Sequence, residues 1–169
     1  MSNESASTTD CDKKPRVLIY CQHVLGMGHL IRSMAIARAL NGCTVVFVNG
    51  GESISGMDIP SWVTIVNLPP ITSDSEFRGL SIHSKDTTLE QVQRARKNML
   101  LDLVGHFRPD VMIIELFPFG RKRFAFELLP LLAHIRLSAP STKVVCSLRD
   151  ILVTKPDQTR HEDWVVSLM

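Results

Sequence analysis

At 169 residues with 44% hydrophobic content, the chain can bury one core and is too short for two. Its formal net charge of +2 supplies no basic field for general nucleic-acid binding. No apolar run approaches the roughly 20 residues that cross a bilayer.

Met1–Lys14 is polar, lacks the apolar stretch of a secretory signal, and reads as a disordered leader ahead of one domain over 15–169. It holds Asp10-Cys11-Asp12, an acid-x-acid spacing that can grip a cation only from a rigid strand end. The leader offers none, so no metal site is expected. The cysteines at 11, 21, 43 and 146 form no paired motif, and reduced thiols in a cytoplasmic protein are the simple reading.

Val17–Cys21 is an unbroken apolar run, the mark of a parallel strand buried on both faces. The loop Gln22–Gly28 follows, with Gly26 and Gly28 framing Met27. His29 then opens a helix whose Leu30, Ile31, Met34, Ala37 and Leu40 recur at helical spacing. Asn41-Gly42 ends it, and Thr44–Val48 is a second strand closed by Asn49-Gly50-Gly51. Val63–Leu68 is a third, closed by Pro69-Pro70. The aperiodic stretch Ile71–Lys85, with Phe77-Arg78-Gly79, is a long loop.

Thr87 and Glu90 form a capping box for a long helix, with Leu89, Val92, Met99, Leu103 and Phe107 as its apolar stripe. Arg94, Arg96 and Lys97 fall off that stripe and are expected in solvent. Val111–Ile114 is a fourth buried strand, ending at Glu115. Phe117-Pro118-Phe119-Gly120 and Arg121-Lys122-Arg123 lead into a helix over Phe124–Leu137, which Pro130 should kink or divide. Lys143–Ser147 is a fifth strand, taken as buried, and Leu148-Arg149-Asp150 follows it. A last helix spans roughly Thr159–Leu168, with no strand after it, so the chain reads as cut off before a further element.

Strand–helix alternation of this kind predicts an α/β fold, a Rossmann-like doubly wound parallel sheet of five strands in the order 3-2-1-4-5. The winding reverses between strands 1 and 4. The loop before His29 and the strand end at Glu115 therefore face one crevice, where open α/β sheets bind ligands. A dinucleotide is disfavoured: Ile31 stands where the fingerprint needs its third glycine, and strand 2 ends in Asn49-Gly50-Gly51 where an acid should hold a ribose. No lysine followed by serine or threonine makes a kinase-type phosphate loop.

His29 in the first helical turn suits a general base, because the positive helix end favours neutral imidazole. Glu115 could fix its tautomer and stabilise the charge formed on proton capture. The same position also suits a plain helix cap. His23 on the same loop is the alternative base, or a brace for the loop. Arg32 and Arg149 are placed to approach an anionic ligand. Arg121–Arg123 beside four phenylalanines (117, 119, 124 and 126) permits peripheral contact with an anionic membrane, although phenylalanines are more often core.

Three stretches, QHVLGMGHLIRSMAIARAL, ELFPFGRKRFAFELLPLL and SLRDIL, resemble a group of bacterial predicted glycosyltransferases with the GT-B fold. The first is similar to the opening loop and helix of the bacterial N-acetylglucosaminyltransferase that completes the lipid-linked peptidoglycan precursor. The resemblance covers most of Arg16–Val153. It implies the N-terminal, acceptor-binding domain of a two-domain transferase whose nucleotide-sugar donor sits mainly in a second, C-terminal domain. It further implies that Gly26, Met27 and Gly28, with Arg32, Arg121 and Arg149, approach acceptor or phosphate. His29 takes the position of the base, with Glu115 as its looser acidic partner, and no metal or other cofactor is needed. The acceptor would be a sugar, a lipid-linked or a small-molecule hydroxyl. The alternative is a non-catalytic acceptor-binding or membrane-anchoring subunit that recruits a donor-binding partner.

Overall fold

Residues 13–23, 27–54, 56–73, 79–82, 87–148 and 158–168 are described by a computed structural model. Residues 1–12 of the leader, Gly26, Phe77-Arg78 and Arg149-Asp150 lie outside the described residues.

The chain runs β1 (Arg16–Cys21), α1 (Gly28–Ala39), β2 (Thr44–Asn49) and β3 (Val63–Asn67). The short strands β4 (Thr72–Ser73) and β5 (Leu80–Ser81) pair antiparallel within the stretch expected to be loop. Then come α2 (Leu89–Phe107), β6 (Val111–Glu115), α3 (Ala125–Ser138), β7 (Lys143–Ser147) and α4 (Gln158–Val166). The main sheet is five-stranded and parallel, in the order β3-β2-β1-β6-β7. With the separate hairpin set aside, that is the expected 3-2-1-4-5 order, and the winding reverses between β1 and β6.

Strand period 2 sorts the core into two layers. Leu18, Tyr20, Val46, Val48, Met112 and Ile114 face α2 and α3, where Leu100, Val104, Leu128 and Leu131 close the layer. Val17, Ile19, Cys21, Val45 and Phe47 face α1 through Leu30, Met34 and Ala37. Alanine at 37 lets the helix lie close to the sheet.

Several local expectations are corrected. The cap of α2 is Thr88 rather than Thr87: its hydroxyl accepts from the Gln91 backbone N–H while the Gln91 side chain returns to the Thr88 N–H. The buried stripe of α2 is Val92, Arg96, Leu100 and Val104, a strict i+4 series, while Met99 is exposed. Arg96 is thus inside the protein, not in solvent. Pro130 begins no new helix, since α3 runs through it from Ala125 to Ser138. Phe117 and Phe124 are core residues, with α4 setting Trp164 edge-on against Phe117 and Lys122 over the Trp164 ring. Finally, β7 is an edge strand. Val144 and Val145, on its opposite faces, are 43% and 45% exposed, and Cys146 is only half-buried. A cavity of about 490 Å³ opens beside this edge, walled by Phe117, Phe119, Leu132, Ile135, Val144 and Leu168.

Candidate active site

Glu115 reaches its place through strand alternation. In β6 the residues Val111, Ile113 and Glu115 share one face, the face that α1 covers. The carboxylate therefore emerges beside the N-terminus of α1, where the chain has just crossed over from β1. His29 turns its ring toward it, and Nδ1 lies 2.5 Å from Glu115 Oε1. The Glu115 side chain is 1% exposed and that of His29 is 17% exposed, so the imidazole is partly open to solvent with the acid buried beneath it. Met27 holds the cap position of α1 without a side-chain bond, and Met27 and Gly28 are exposed just before His29. An ionised carboxylate can only accept, so the proton between the two belongs to Nδ1. Nε2 is then the ring nitrogen that can receive another, the arrangement of an oriented general base.

The chain after Glu115 doubles back sharply. The Gly120 N–H donates to the Leu116 carbonyl at 2.7 Å, and both Leu116 and Arg121 adopt left-handed backbone, at φ 65° and 57°. Non-glycine residues occupy that region at a cost of about 1–2 kcal/mol each, and such positions concentrate at functional sites. A Cβ at Gly120 would lie 2.7 Å from the Leu116 side chain, which would have to move to admit it. The reversal returns Arg121 over Glu115, with Nε 3.6 Å from Oε2.

Arg32, one turn into α1, reaches across to the end of β7. It donates to Ser147 Oγ at 2.8 Å and to the Leu148 carbonyl at 2.5 Å. The structure thus gathers His29, Glu115, Arg121 and Arg32 at one end of β1, β6 and β7, while Gly26 and Arg149 lie outside the described residues. His23 belongs to a different cluster. Its Nε2 lies 2.9 Å from Asn49 Oδ1, and Asn49 donates in turn to the Glu52 carbonyl and Asn67 Oδ1. This histidine braces the ends of β1, β2 and β3 on the side of β1 away from Glu115. Gly50 and Gly51 make the brace possible. A Cβ at Gly50 would lie 2.0 Å from Gln22 Oε1, and one at Gly51 would lie 2.4 Å from the His23 carbonyl.

Sequence reasoning missed the network beneath this floor. Arg96 Nε and Nη2 grip both oxygens of Glu127, at 2.8 and 2.7 Å. Nη1 donates to the carbonyls of Gly50 and Pro69, and Nη2 also to Gln22 Oε1. All five guanidinium donors are used, and they tie the chain beyond β1, β2 and β3 to α2 and α3. Tyr20 donates its hydroxyl to Glu127. Burial and the Glu127 charge hold the Tyr20 phenol well above its ordinary range. Burial pulls the Arg96 guanidinium down, but Glu127 and Tyr20 together outweigh this and leave it above its usual value. The sequence signal was Val92-Arg96-Leu100-Val104, a buried stripe with one charged member. Burial also pushes the Cys21 thiol, below His29, up to about 11.

No protein-family model matches the sequence, and no curated protein matches it either. Solved structures do align with it. Phytolacca americana UGT2, complexed with UDP-2fluoro-glucose and pterostilbene, is 17% identical over 80% of this chain and 30% of its own, with a TM-score of 0.49. A UDP-glucosyltransferase from Polygonum tinctorium capable of glucosylating indoxyl is 15% identical over 81% of this chain and 30% of its own, at 0.47. CalG4, the calicheamicin glycosyltransferase, is 16% identical over 90% of this chain and 37% of its own, also at 0.47. The chain thus spans about a third of the length of these neighbours.

Proposed function

We propose that this chain is the acceptor-binding half of a glycosyltransferase, with His29 as the general base and Glu115 as its orienting acid. The acceptor hydroxyl gives its proton to His29 Nε2. Its oxygen bonds to the anomeric carbon of a nucleotide-sugar, and the bond from that carbon to the nucleotide's phosphate oxygen breaks. The nucleoside diphosphate leaves, and Glu115 stabilises the imidazolium formed. A base so placed contributes about 10²–10⁴-fold. The single observation that supports this reading is the 2.5 Å contact between His29 and Glu115, at the point where the sheet's winding reverses. The glycosyltransferase-like motif around Gly26–Ser33 supports the same reading from the sequence. Arg32 ties the end of β7, at Ser147 and Leu148, to the start of α1, and a donor-binding half across the crevice supplies the nucleotide. A cytoplasmic setting belongs to the same proposal.

The test is transfer itself. The protein, in the full form its gene encodes, is incubated with UDP-, dTDP- and GDP-sugars and a panel of hydroxyl acceptors, and products are read by mass spectrometry. A hexose adduct that E115Q forms far more slowly is expected. Absence of adduct with every donor contradicts the reading.

A binding subunit without chemistry of its own is the second reading, favoured by the open β7 edge with its exposed Val144, Val145 and Leu148. It predicts acceptor binding that H29A leaves unchanged and no turnover with any donor.

A further inference from the structure

Glu115 is shut from water, yet only one of its oxygens has a full hydrogen bond. Oε1 meets His29 Nδ1, while among the described residues Oε2 has no hydrogen-bond partner; it stands 3.6 Å from Arg121 Nε, which is likewise buried without an acceptor among them. At that separation the contact is an ion pair rather than a hydrogen bond. Enclosure keeps such a pair from being screened. The fold also takes on strain to place it, because Arg121 sits at φ 57° at the end of a reversal that opens with Leu116 at φ 65°. The family resemblance implies that this arginine approaches acceptor or phosphate; its Nε faces the protein's own carboxylate.

We propose that Arg121 is a positioning residue for the His29–Glu115 pair, an inference that rests on the base assignment above. By holding Oε2, it leaves Oε1 as the acceptor for Nδ1–H and fixes the imidazole in the tautomer whose Nε2 can take a proton. Among the described residues, the other charged or titratable groups nearby do not supply this hold. Arg32 on α1 is occupied by Ser147 and Leu148. The thiols of Cys21 on β1 and Cys146 on β7, both pushed up to about 11 by burial first and by Glu115 in addition, stay neutral at physiological pH.

The tautomer is read directly from the ring nitrogens of 15N-histidine-labelled protein by NMR at mildly alkaline pH, with no sugar transfer required. Wild type should show His29 as the Nδ1–H tautomer. R121Q carries an amide nitrogen to the place of Arg121 Nε and should keep that pattern. R121M, similar in length but without a donor, should mix the two tautomers. An R121M spectrum indistinguishable from wild type overturns the proposal, as does an R121Q spectrum mixed to the extent of R121M. Should R121M fail to fold, the Arg121 Nε–H resonance of wild type decides. Slow exchange that is lost in E115Q supports the contact, and fast exchange in wild type refutes it. Failure of the parent reading looks different: the tautomer pattern would follow these expectations while no donor yields a product.

Discussion

Replacing Arg96 by methionine removes the guanidinium that answers Glu127 inside the protein. Both side chains are 0% exposed. Deleting one member of a buried ion pair leaves the other charge uncompensated, at about 3–5 kcal/mol. The carbonyls of Gly50 and Pro69 and the Gln22 amide lose their donor in the same step. Each orphaned group adds about 1–3 kcal/mol where water cannot reach it. These terms are not additive, so the expected loss is about 4 kcal/mol, a large part of the roughly 5–15 kcal/mol that holds a domain together. Urea unfolding followed by circular dichroism reads it. With a slope of about 2 kcal/mol per molar, the midpoint of R96M should fall by about 2 M. The double variant R96M/E127M removes the stranded charge as well and should recover a substantial part, because well-packed apolar groups replace buried ion pairs at little cost. An R96M loss under about 1 kcal/mol, or a double variant as costly as the two single losses summed, would refute this account of the network.

Further outcomes follow from the same geometry. Gly51→Ala drives a Cβ to 2.4 Å from the His23 carbonyl and 2.6 Å from its ring, and should cost about 1–3 kcal/mol in unfolding experiments. Gly42→Ala, with nothing within 4 Å, should be near neutral. The Arg16 backbone N–H bond holds the Asp110 carboxyl below its ordinary value, slightly opposed by desolvation and aided by the Arg16 side chain. Its folded-state value lies below its unfolded one, so its contribution is fully present above the ordinary Asp range, about pH 3.9, and lost as pH falls through the folded value. D110N should flatten the acid limb of a stability-against-pH curve, and an unchanged limb would count against the bond. In native protein at pH 8, burial should leave Cys21, up at about 11, unalkylated by iodoacetamide long after denatured protein is fully modified. Rapid native labelling at that residue, located by peptide mass mapping, would contradict its burial.

The sheet was legible because its central strands are unbroken apolar runs, which only a sheet covered on both faces requires, and because short crossovers leave few orders open. The meeting of His29 with Glu115 was legible for a related reason. Period 2 along β6 and the winding reversal bring a strand end and a helix start together without any side-chain detail. Arg96 was not legible, because the stripe expected through Leu89, Val92, Met99, Leu103 and Phe107 leaves it on the solvent side, and a charged residue is placed inside only once its partner, Glu127 on another helix, is in view. The exposure of β7 escaped notice because Val144 and Val145 are as apolar as the core strands, and the edge of a sheet is set by what pairs beyond it. The contact of Arg121 with Glu115 was not legible, since nothing in its neighbours marks the left-handed backbone that turns its Nε inward.

The central claim is that His29, and not His23, takes the proton from the acceptor. Initial rates of sugar transfer by H29A and H23A, measured beside nucleotide-sugar affinity in the full gene product, test it most directly. H29A should lose at least about 10²-fold in rate with donor affinity nearly unchanged, while H23A keeps most of its rate. Transfer that survives in H29A and disappears in H23A would contradict the account.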